Sequence, residues 1–248
     1  MSRSPFTVII AHGWSWQSQW LLPLIQAIET KIQGQHTAQF YGLEQHYFST
    51  QPAELLQYTN GEFNPTTLNL TEIANNTQPI SQLIGIGHSF GLSHLLQMPV
   101  KWNGLISLHG FVRFVADANN PHGTPSRMIT SMIQKFQIDP KPVLNDFWNR
   151  CELPSPTVPD TYSKTLTDHL EQLSTLNVAP QLYAHLSNQI PFITVSSVSD
   201  RIVHSELTHL GQSIPYTLRT PHAGPSTHPA LYTECILSLF NFLSPPNE

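Results

Sequence analysis

The sequence predicts an α/β protein with a mostly parallel central sheet flanked by helices. Short apolar runs, each bounded by polar residues, Gly or Pro, are typical of strands that are buried on both faces. Amphipathic helical patterns separate several of these runs, and such alternation favours a parallel sheet. A Pro-rich stretch from residue 111 to residue 185 interrupts the alternation with short helical patterns, so we expect a helical insertion there.

The predicted elements follow one another along the chain. Apolar runs predict strands at 6–11, 83–86, 104–108, 192–198 and 216–220, of which 104–108 and 216–220 are the weaker candidates. Helical patterns lie at 20–32, 92–98 and 231–243, and shorter ones within the insertion lie at 128–136 and 143–148. The 248 residues can bury one sizeable core. We therefore expect a core formed by residues 1–110 and 186–248, with 111–185 inserted between its two parts.

Composition and charge argue against several classes of function. The chain has 16 acidic and 11 basic residues and no block of Lys or Arg, so a nucleic-acid partner is not expected. No apolar stretch reaches the roughly 18 residues of a membrane span, and the N-terminus enters a strand without a signal cleavage site. Cys151 and Cys235 lie in unrelated contexts, which predicts neither a disulfide nor a cysteine zinc site. We expect a soluble, cytoplasmic monomer.

A Gly-x-Ser-x-Gly motif, Gly87 to Gly91, is the strongest local signal. It directly follows the predicted strand 83–86 and precedes the helical pattern 92–98, which is the setting of a nucleophile elbow. The sharp turn needs Gly on both sides because a side chain there would strike the neighbouring backbone. We predict that Ser89 is a nucleophile; the alternative is an ordinary turn with a capping serine.

A serine hydroxyl is a poor nucleophile at neutral pH, so it needs a base and an acid that orients the base. After such an elbow, the expected chain order is serine, acid, histidine. Asp200 lies just past the carboxyl end of the predicted strand 192–198, where open α/β sheets gather functional groups. We predict that Asp200 is the acid. The alternative is that it only caps the following turn or pairs with Arg201.

The predicted base is His222, in the loop that follows the predicted strand 216–220. His228, six residues later and directly before Pro229, is a competitor at a helix start. His204 is a second competitor, but it is too close to Asp200 in sequence. The 13 histidines of the chain contain neither an HExxH motif nor a clustered HxH pattern, so we expect no metal.

The first predicted strand ends in His12, Gly13 and Trp14, and this loop can supply an oxyanion donor. We assign the oxyanion hole to the backbone N–H groups of Trp14 and of Phe90, the residue after the nucleophile. Each such donor contributes about 3 kcal/mol to lowering the barrier. The Trp14 ring could serve only in packing, and the role of its amide does not depend on that.

These motifs resemble the α/β-hydrolase superfamily over nearly the full chain. Within it, the chain is most similar to the pimeloyl–acyl carrier protein methyl ester esterases of biotin synthesis, whose first loop reads His-Gly-Trp and whose last loop carries His-Ala-Pro-x-x-x-His-Pro. The resemblance implies the triad Ser89, Asp200 and His222, and it implies that Trp14 lines the oxyanion side. It also implies that the insertion at 111–185 is a helical lid that receives an acyl carrier protein.

Two positions depart from the pattern of that family. Leu92 replaces a second Gly after the elbow, and residues 41–47 replace a loop of the form Asp-x-Pro-Gly-x-Gly. The window 101–164 holds seven of the 11 bases but five of the 16 acids. Because carrier proteins are acidic, we predict that basic residues of the lid bind the carrier. The predicted substrate-binding residues are Trp14, Arg113, Arg127 and Lys135. The alternative is a solvated helical face.

The leading hypothesis is a serine carboxylic-ester hydrolase that acts through an acyl-enzyme on a small ester, without metal or organic cofactor. Its sharper form is demethylation of a pimeloyl ester on acyl carrier protein. A carboxylesterase of small esters, a thioesterase and a cofactor-free oxygenase or haloperoxidase are the alternatives within the same fold. A noncatalytic binding module is the alternative from another class, and three chemically competent triad residues argue against it.

Overall fold

The computed structural model describes residues 5–66, 72, 82–154 and 157–244. The N-terminal residues 1–4 and the insertion residues 155–156, for which the sequence carried expectations, lie outside this range. The described residues form one eight-stranded sheet in the order β4-β3-β2-β1-β5-β6-β7-β8. Its strands are β1 (Phe6–Ala11), β2 (Ala38–Glu44), β3 (Glu54–Thr59), β4 (Glu62–Pro65), β5 (Gln82–His88), β6 (Gly104–Leu108), β7 (Phe192–Ser197) and β8 (Ile214–Leu218).

Strands β2, β1, β5, β6, β7 and β8 run parallel to one another, whereas β3 is antiparallel to both of its neighbours, β2 and β4. Every residue of β1, β6 and β7 is buried, as expected of strands covered on both faces. The helices are α1 (Leu22–Ile32), α2 (Gly91–Gln97), α3 (Ser126–Ile138), α4 (Pro140–Cys151), α5 (Lys164–Gln172), α6 (Ala179–Leu186), α7 (Gly224–Thr227) and α8 (Pro229–Leu243). The predicted α/β class with a mostly parallel sheet is confirmed.

The five predicted strands all occur, but β8 is shifted relative to its prediction. It begins at Ile214 and ends at Leu218, so Thr220 belongs to the following loop. Strands β2, β3 and β4 were not predicted. The sequences of β3 and β4 mix polar and apolar residues because both strands are largely solvated, with few buried positions. Strand β2 is buried from residue 40 onward, but Gln39, Gly42 and Glu44 interrupt its apolar run. An apolar run is therefore missing where the sheet is antiparallel.

Helices α3 to α6 all lie between β6 and β7, within the stretch where the insertion was predicted. Helix α3 packs against α4 and α5. Helices α3 and α4 extend beyond the short patterns at 128–136 and 143–148, since each also takes up flanking polar residues. No helix in the described part of the chain is both long and apolar enough to cross a membrane.

Candidate active site

Ser89 lies in a sharp turn between β5 and α2, with a positive φ of 54°. Its backbone N–H donates to the Leu108 carbonyl at 2.9 Å, which ties the turn to the end of β6. A methyl group on Gly87 would lie 2.5 Å from Leu92 Cα, and one on Gly91 would collide with the Ala11 carbonyl oxygen. The elbow therefore requires Gly at both positions, and it holds Ser89 in a conformation that side chains rarely adopt.

The loop after β1 passes directly over Ser89. A methyl group on Gly13 would lie 3.0 Å from Ser89 Cβ and 3.4 Å from Ser89 Oγ. Within the described residues, the backbone N–H groups of Trp14 and Phe90 have no hydrogen-bond acceptor. Two unused amides beside a serine hydroxyl are the arrangement that an oxyanion hole needs.

Asp200 and His222 are brought together at the carboxyl ends of β7 and β8. His222 Nδ1 donates to Asp200 Oδ2 at 2.7 Å, and both side chains are 1% exposed. Asp200 Oδ1 accepts the backbone N–H groups of Ile202 and Val203 at 2.7 and 3.0 Å. Asp200 thus caps the following turn and also orients His222. Arg201 does not pair with Asp200, because it reaches Glu152 instead.

The electrostatics of Asp200 favour its carboxylate form. Burial acts to raise the pKa of Asp200, but the charge of His222 and the hydrogen bonds from His109 and His222 outweigh it and hold that pKa well below 3.8. Asp200 therefore carries a full negative charge at neutral pH. Such a charge can stabilise a protonated histidine.

Two backbone contacts fix the loop that carries His222. His88 Nε2 donates to the His222 carbonyl at 3.1 Å, and the Ala223 N–H donates to the Cys151 carbonyl at the end of α4 at 2.9 Å. The His222 Nε2 atom is buried, and no partner for it exists within the described chain, so Ser89 and His222 are not hydrogen-bonded in this structure. His222 Nε2 is therefore free of any hydrogen bond to the described residues.

The two competing histidines lie elsewhere. His228 is exposed, caps the start of α8 and interacts with Thr227 Oγ1 at 2.8 Å. His204 caps a short 3₁₀ helix, where its Nδ1 accepts the Glu206 N–H. Neither side chain contacts Asp200, so the structure favours His222 among the three candidates.

A second histidine on Asp200 was missed by the sequence analysis. His109 Nδ1 lies 2.6 Å from Asp200 Oδ2, the same oxygen that accepts from His222. His109 Nε2 lies 2.5 Å from the Tyr232 hydroxyl. His109 directly follows the predicted strand 104–108, so the strand-end argument used for Asp200 could have found it. Tyr232 is hidden inside the apolar pattern of α8.

The group formed by His109, Asp200 and His222 also has the composition of a metal site. Their possible ligand atoms lie within 4.8 Å of one another. However, both Nδ1 atoms lie at hydrogen-bonding distance from one carboxylate oxygen, which accounts for the arrangement by two N–H donors on a single acceptor. The geometry is that of two imidazoles hydrogen-bonded to one carboxylate oxygen.

A cavity of about 1080 Å³ opens beside Ser89 and Asp200 and extends between the helices of the insertion. Its wall includes Trp14 and Phe90, which carry the two unused amides, and a largely apolar set contributed mainly by α3 and α4. This set is Phe111, Phe114, Met128, Ile129, Met132, Ile138, Val143 and Phe147. The cavity is large enough for an extended apolar acyl chain.

The predicted substrate-binding bases separate into two groups. Arg127 and Lys135 line the cavity, and the described residues offer them no acidic partner. Arg113 does not reach the cavity wall in the described chain, because its Nη1 pairs with Asp117 at 3.2 Å. The other lid bases considered for docking also have partners: Lys141 with Asp160, Arg150 with Asp146, and Lys164 with Asp168.

Helix α5 is fastened to the core beside the elbow. Trp14 Nε1 donates to the Leu166 carbonyl at 2.8 Å, and the Tyr47 hydroxyl lies 2.9 Å from His169 Nδ1. His94 of α2 packs its ring against His169, with 4.9 Å between the ring centroids. The side chain of Trp14 therefore binds the helical insertion, and its backbone N–H faces the site.

No protein-family model matches the chain, and no curated protein matches its sequence. Solved structures do resemble it. A bromoperoxidase from Bacillus anthracis has a TM-score of 0.71 at 13% identity, over 97% of this chain and 93% of that chain. An esterase from Exiguobacterium antarcticum has a TM-score of 0.58 at 13% identity, over 96% of this chain and 91% of that one.

A pyrethroid hydrolase from Sphingobium faniae is also similar, with a TM-score of 0.56 at 16% identity over 98% of both chains. At these identities the likeness concerns the fold. The sheet order, the elbow after β5 and the helices between β6 and β7 agree with it. The chain has the α/β-hydrolase fold.

Proposed function

We propose that this protein is a serine carboxylic-ester hydrolase that works through an acyl-enzyme. The observation that carries the proposal is the Asp200–His222 pair on the same sheet edge as Ser89, which lies in a strained elbow beneath a loop with unused amides. Nucleophile, acid and base follow one another in the chain order typical of this fold. No metal or organic cofactor takes part in the proposed reaction.

In the first half-reaction, Ser89 Oγ attacks the ester carbonyl carbon while its proton moves to His222 Nε2. The carbonyl electron pair moves onto oxygen, where the N–H groups of Trp14 and Phe90 stabilise the negative charge. The intermediate collapses by breaking the bond to the alcohol oxygen. His222 returns its proton to that oxygen, and the alcohol leaves.

In the second half-reaction, water attacks the acyl-enzyme. His222 takes one proton from the water, and the same two amides hold the second oxyanion. Breakage of the bond to Ser89 Oγ then gives the carboxylic acid, and the proton on His222 restores the serine. Asp200 stays ionised throughout, and it stabilises His222 when that residue is protonated.

The test is covalent labelling of Ser89 with a fluorophosphonate and turnover of p-nitrophenyl esters of graded acyl length. Ser89→Ala should abolish labelling and reduce kcat/KM by roughly 10⁴ or more. The exposed Ser187 provides the control, since Ser187→Ala should label and turn over like the parent. Near-parental turnover by Ser89→Ala would contradict the assignment.

The finer proposal is that the ester is a methyl ester of a pimeloyl chain on acyl carrier protein. Arg127 and Lys135 support it, because they line the cavity and have no acidic partner among the described residues. These two bases offer an attractive surface to an acidic carrier. The pairing of Arg113, Lys141, Arg150 and Lys164 restricts the proposed docking surface to Arg127 and Lys135.

The carrier proposal predicts a selective response to salt. Raising ionic strength should lower kcat/KM for the carrier-bound ester, because exposed charges are screened beyond a Debye length of about 10 Å, and should leave a small neutral ester unaffected. Arg127→Glu with Lys135→Glu should reproduce that loss. Lys141→Glu, at a base already paired with Asp160, is the matched control. Equal salt sensitivity of both esters would leave an esterase without a carrier partner.

A further inference from the structure

Behind the proposed catalytic pair lies a continuous chain of buried polar groups. It consists of Thr220, Tyr232, His109 and Asp200, linked by distances of 2.5 Å between Thr220 Oγ1 and the Tyr232 hydroxyl, 2.5 Å from that hydroxyl to His109 Nε2, and 2.6 Å from His109 Nδ1 to Asp200 Oδ2. All of these side chains are buried. The chain ends on the oxygen that orients His222.

The direction of each hydrogen bond follows from the groups themselves. The Asp200 carboxylate can only accept, so His109 Nδ1 carries a proton and donates. Burial lowers the pKa of His109 and outweighs the charge of Asp200, which makes His109 neutral, and its Nε2 must then accept. The Tyr232 hydroxyl therefore donates to His109, and the Thr220 hydroxyl donates to Tyr232. Every donor points toward Asp200.

We infer that His109 is a positioning residue that sets how strongly Asp200 stabilises the protonated form of His222. His109 shares Asp200 Oδ2 with His222, and Tyr232 holds His109 in the form that donates to this oxygen. The inference rests on the proposed function, since it assigns the control of that same site. His109 touches neither the ester nor Ser89 in this scheme. It acts only through Asp200.

The local backbone shows that this placement is costly. His109 has a φ of 56°, in the left-handed region that is uncommon for residues other than Gly, although histidine enters it more often than most side chains do. Its imidazole is also completely buried, so its polar atoms need partners. The donor on Asp200 is what a histidine supplies here.

The consequence for the proposed catalysis is that Asp200 stabilises the protonated form of His222 less strongly. A hydrogen bond from a neutral donor withdraws negative charge from the carboxylate, so Asp200 stabilises the protonated form of His222 less than it would alone. Removing the donor should move the acidic limb of the pH profile to higher pH.

The surroundings contain few other groups that titrate near this limb. His88 faces His222, but its buried imidazole is neutral, since burial and the neighbouring His222 and His109 hold its pKa well below 6.5. Cys151 faces Asp200, and burial raises the pKa of its thiol well above the usual value. Burial raises the pKa of the Tyr232 hydroxyl well above its usual value, and it raises the pKa of the neighbouring Cys235 thiol to about 11. At neutral pH, His88, Cys151, Tyr232 and Cys235 are therefore uncharged.

The test compares three variants of the full chain. His109→Gly removes the donor and suits the positive φ, whereas His109→Asn suits the same φ and keeps an N–H donor near the position of Nδ1. Tyr232→Phe keeps the ring and removes the hydroxyl that holds His109. The measurement is kcat/KM for a p-nitrophenyl ester from about pH 5 to pH 9.

We expect His109→Gly to move the acidic midpoint upward by roughly 0.5 to 1 pH unit. Tyr232→Phe should move it in the same direction by less, and His109→Asn should restore it close to the parental value. An unchanged midpoint in His109→Gly with folding intact would overturn the inference. Equal loss of activity in the Gly and Asn variants without a shift would assign His109 a purely structural role.

A second measurement separates this inference from the proposed function. The imidazole N–H protons that donate to Asp200 resonate far downfield in ¹H NMR, and their titration needs no substrate. In His109→Asn one of these resonances should disappear, and in His109→Gly the remaining one should titrate at higher pH than in the parent. A parent chain that fails to hydrolyse esters but gives this result contradicts the proposed function alone. An active parent whose resonance does not shift in His109→Gly contradicts this inference alone.

Discussion

Ser89, Asp200 and His222 could be chosen as candidate site residues from sequence because each follows a strand. Parallel strands bring their carboxyl ends to one edge of the sheet, so chain order and strand position were sufficient to choose them. His88 could not be found in this way, because its contact with the His222 carbonyl depends on the path of a loop 134 residues away. Long-range backbone contacts leave no local pattern in the sequence.

At the residue scale, His222→Ala should reduce kcat/KM by roughly 10⁴, because it removes the base that Asp200 orients. His228→Ala is the matched control at a histidine of the same loop region, exposed and without contact to Asp200, and it should stay within about twofold of the parent. Ester turnover measures both. Comparable losses in the two variants would remove His222 from the proposed mechanism.

At the scale of elements, four of the five predicted strands are buried on both faces, and the fifth, β8, is a partly exposed edge strand that was one of the two weaker candidates. The apolar runs of β1, β5, β6 and β7 reflect their central place in the sheet. Strands β2, β3 and β4 and the insertion helices α5 and α6 were missed. Solvent contact leaves β3, β4 and these two helices with mixed sequences, whereas in β2 the apolar run is interrupted by Gly42. Their place is set by packing against the core and not by local propensity.

The fastening of α5 gives a prediction for this element. Tyr47→Phe removes the hydroxyl that meets His169 Nδ1, and it should cost about 1 kcal/mol of unfolding free energy. Amides of α5 should exchange faster, while those of β5 and β6 should change little. Hydrogen exchange followed by mass spectrometry measures this locally.

Tyr183→Phe is the control, since it makes the same chemical change at a tyrosine of α6 that is 64% exposed. It should leave exchange in α5 at the parental rate. Uniformly faster exchange across the sheet in Tyr47→Phe would indicate a global loss of stability. That result would contradict a local role of the contact.

At the scale of the whole molecule, buried neutral histidines determine how stability depends on acidity. Burial holds the pKa values of His88 and His94 well below 6.5. It also lowers the pKa of His109, and it lowers the pKa of His169 to about 4. In the unfolded chain these groups take up protons near pH 6.5. Between pH 6.5 and 4 the unfolded state therefore binds more protons than the folded state, and stability should fall as the pH decreases.

Each such histidine contributes a slope of about 1.4 kcal/mol per pH unit within this range. Glu44 acts only at lower pH. Burial would raise its pKa, but His12 and two backbone N–H groups bring it to about 2, so its contribution is lost as the pH falls from about 4.5 through 2. Urea denaturation at several pH values should show a midpoint that decreases steadily below pH 6.5.

His94→Leu offers a sharper form of this test. The Nε2 atom of His94 is buried, and none of the described residues partners it, so the substitution removes one titrating group without breaking a hydrogen bond. The slope of stability against pH should become shallower by about 1.4 kcal/mol per unit. The exposed His209 is the control, because His209→Leu should leave the slope as it is. An unchanged slope in His94→Leu would contradict the assignment.

The hydrogen bond from Ala223 to the Cys151 carbonyl has a consequence for protein engineering. The last turn of α4 holds the loop of His222 in place through this contact. The helices around the cavity therefore cannot be replaced without affecting that loop. A graft from a related scaffold would have to end its second helix with a carbonyl in the same place. Changes to the cavity lining are therefore better made by substitutions inside α3 than by replacing the segment as a unit.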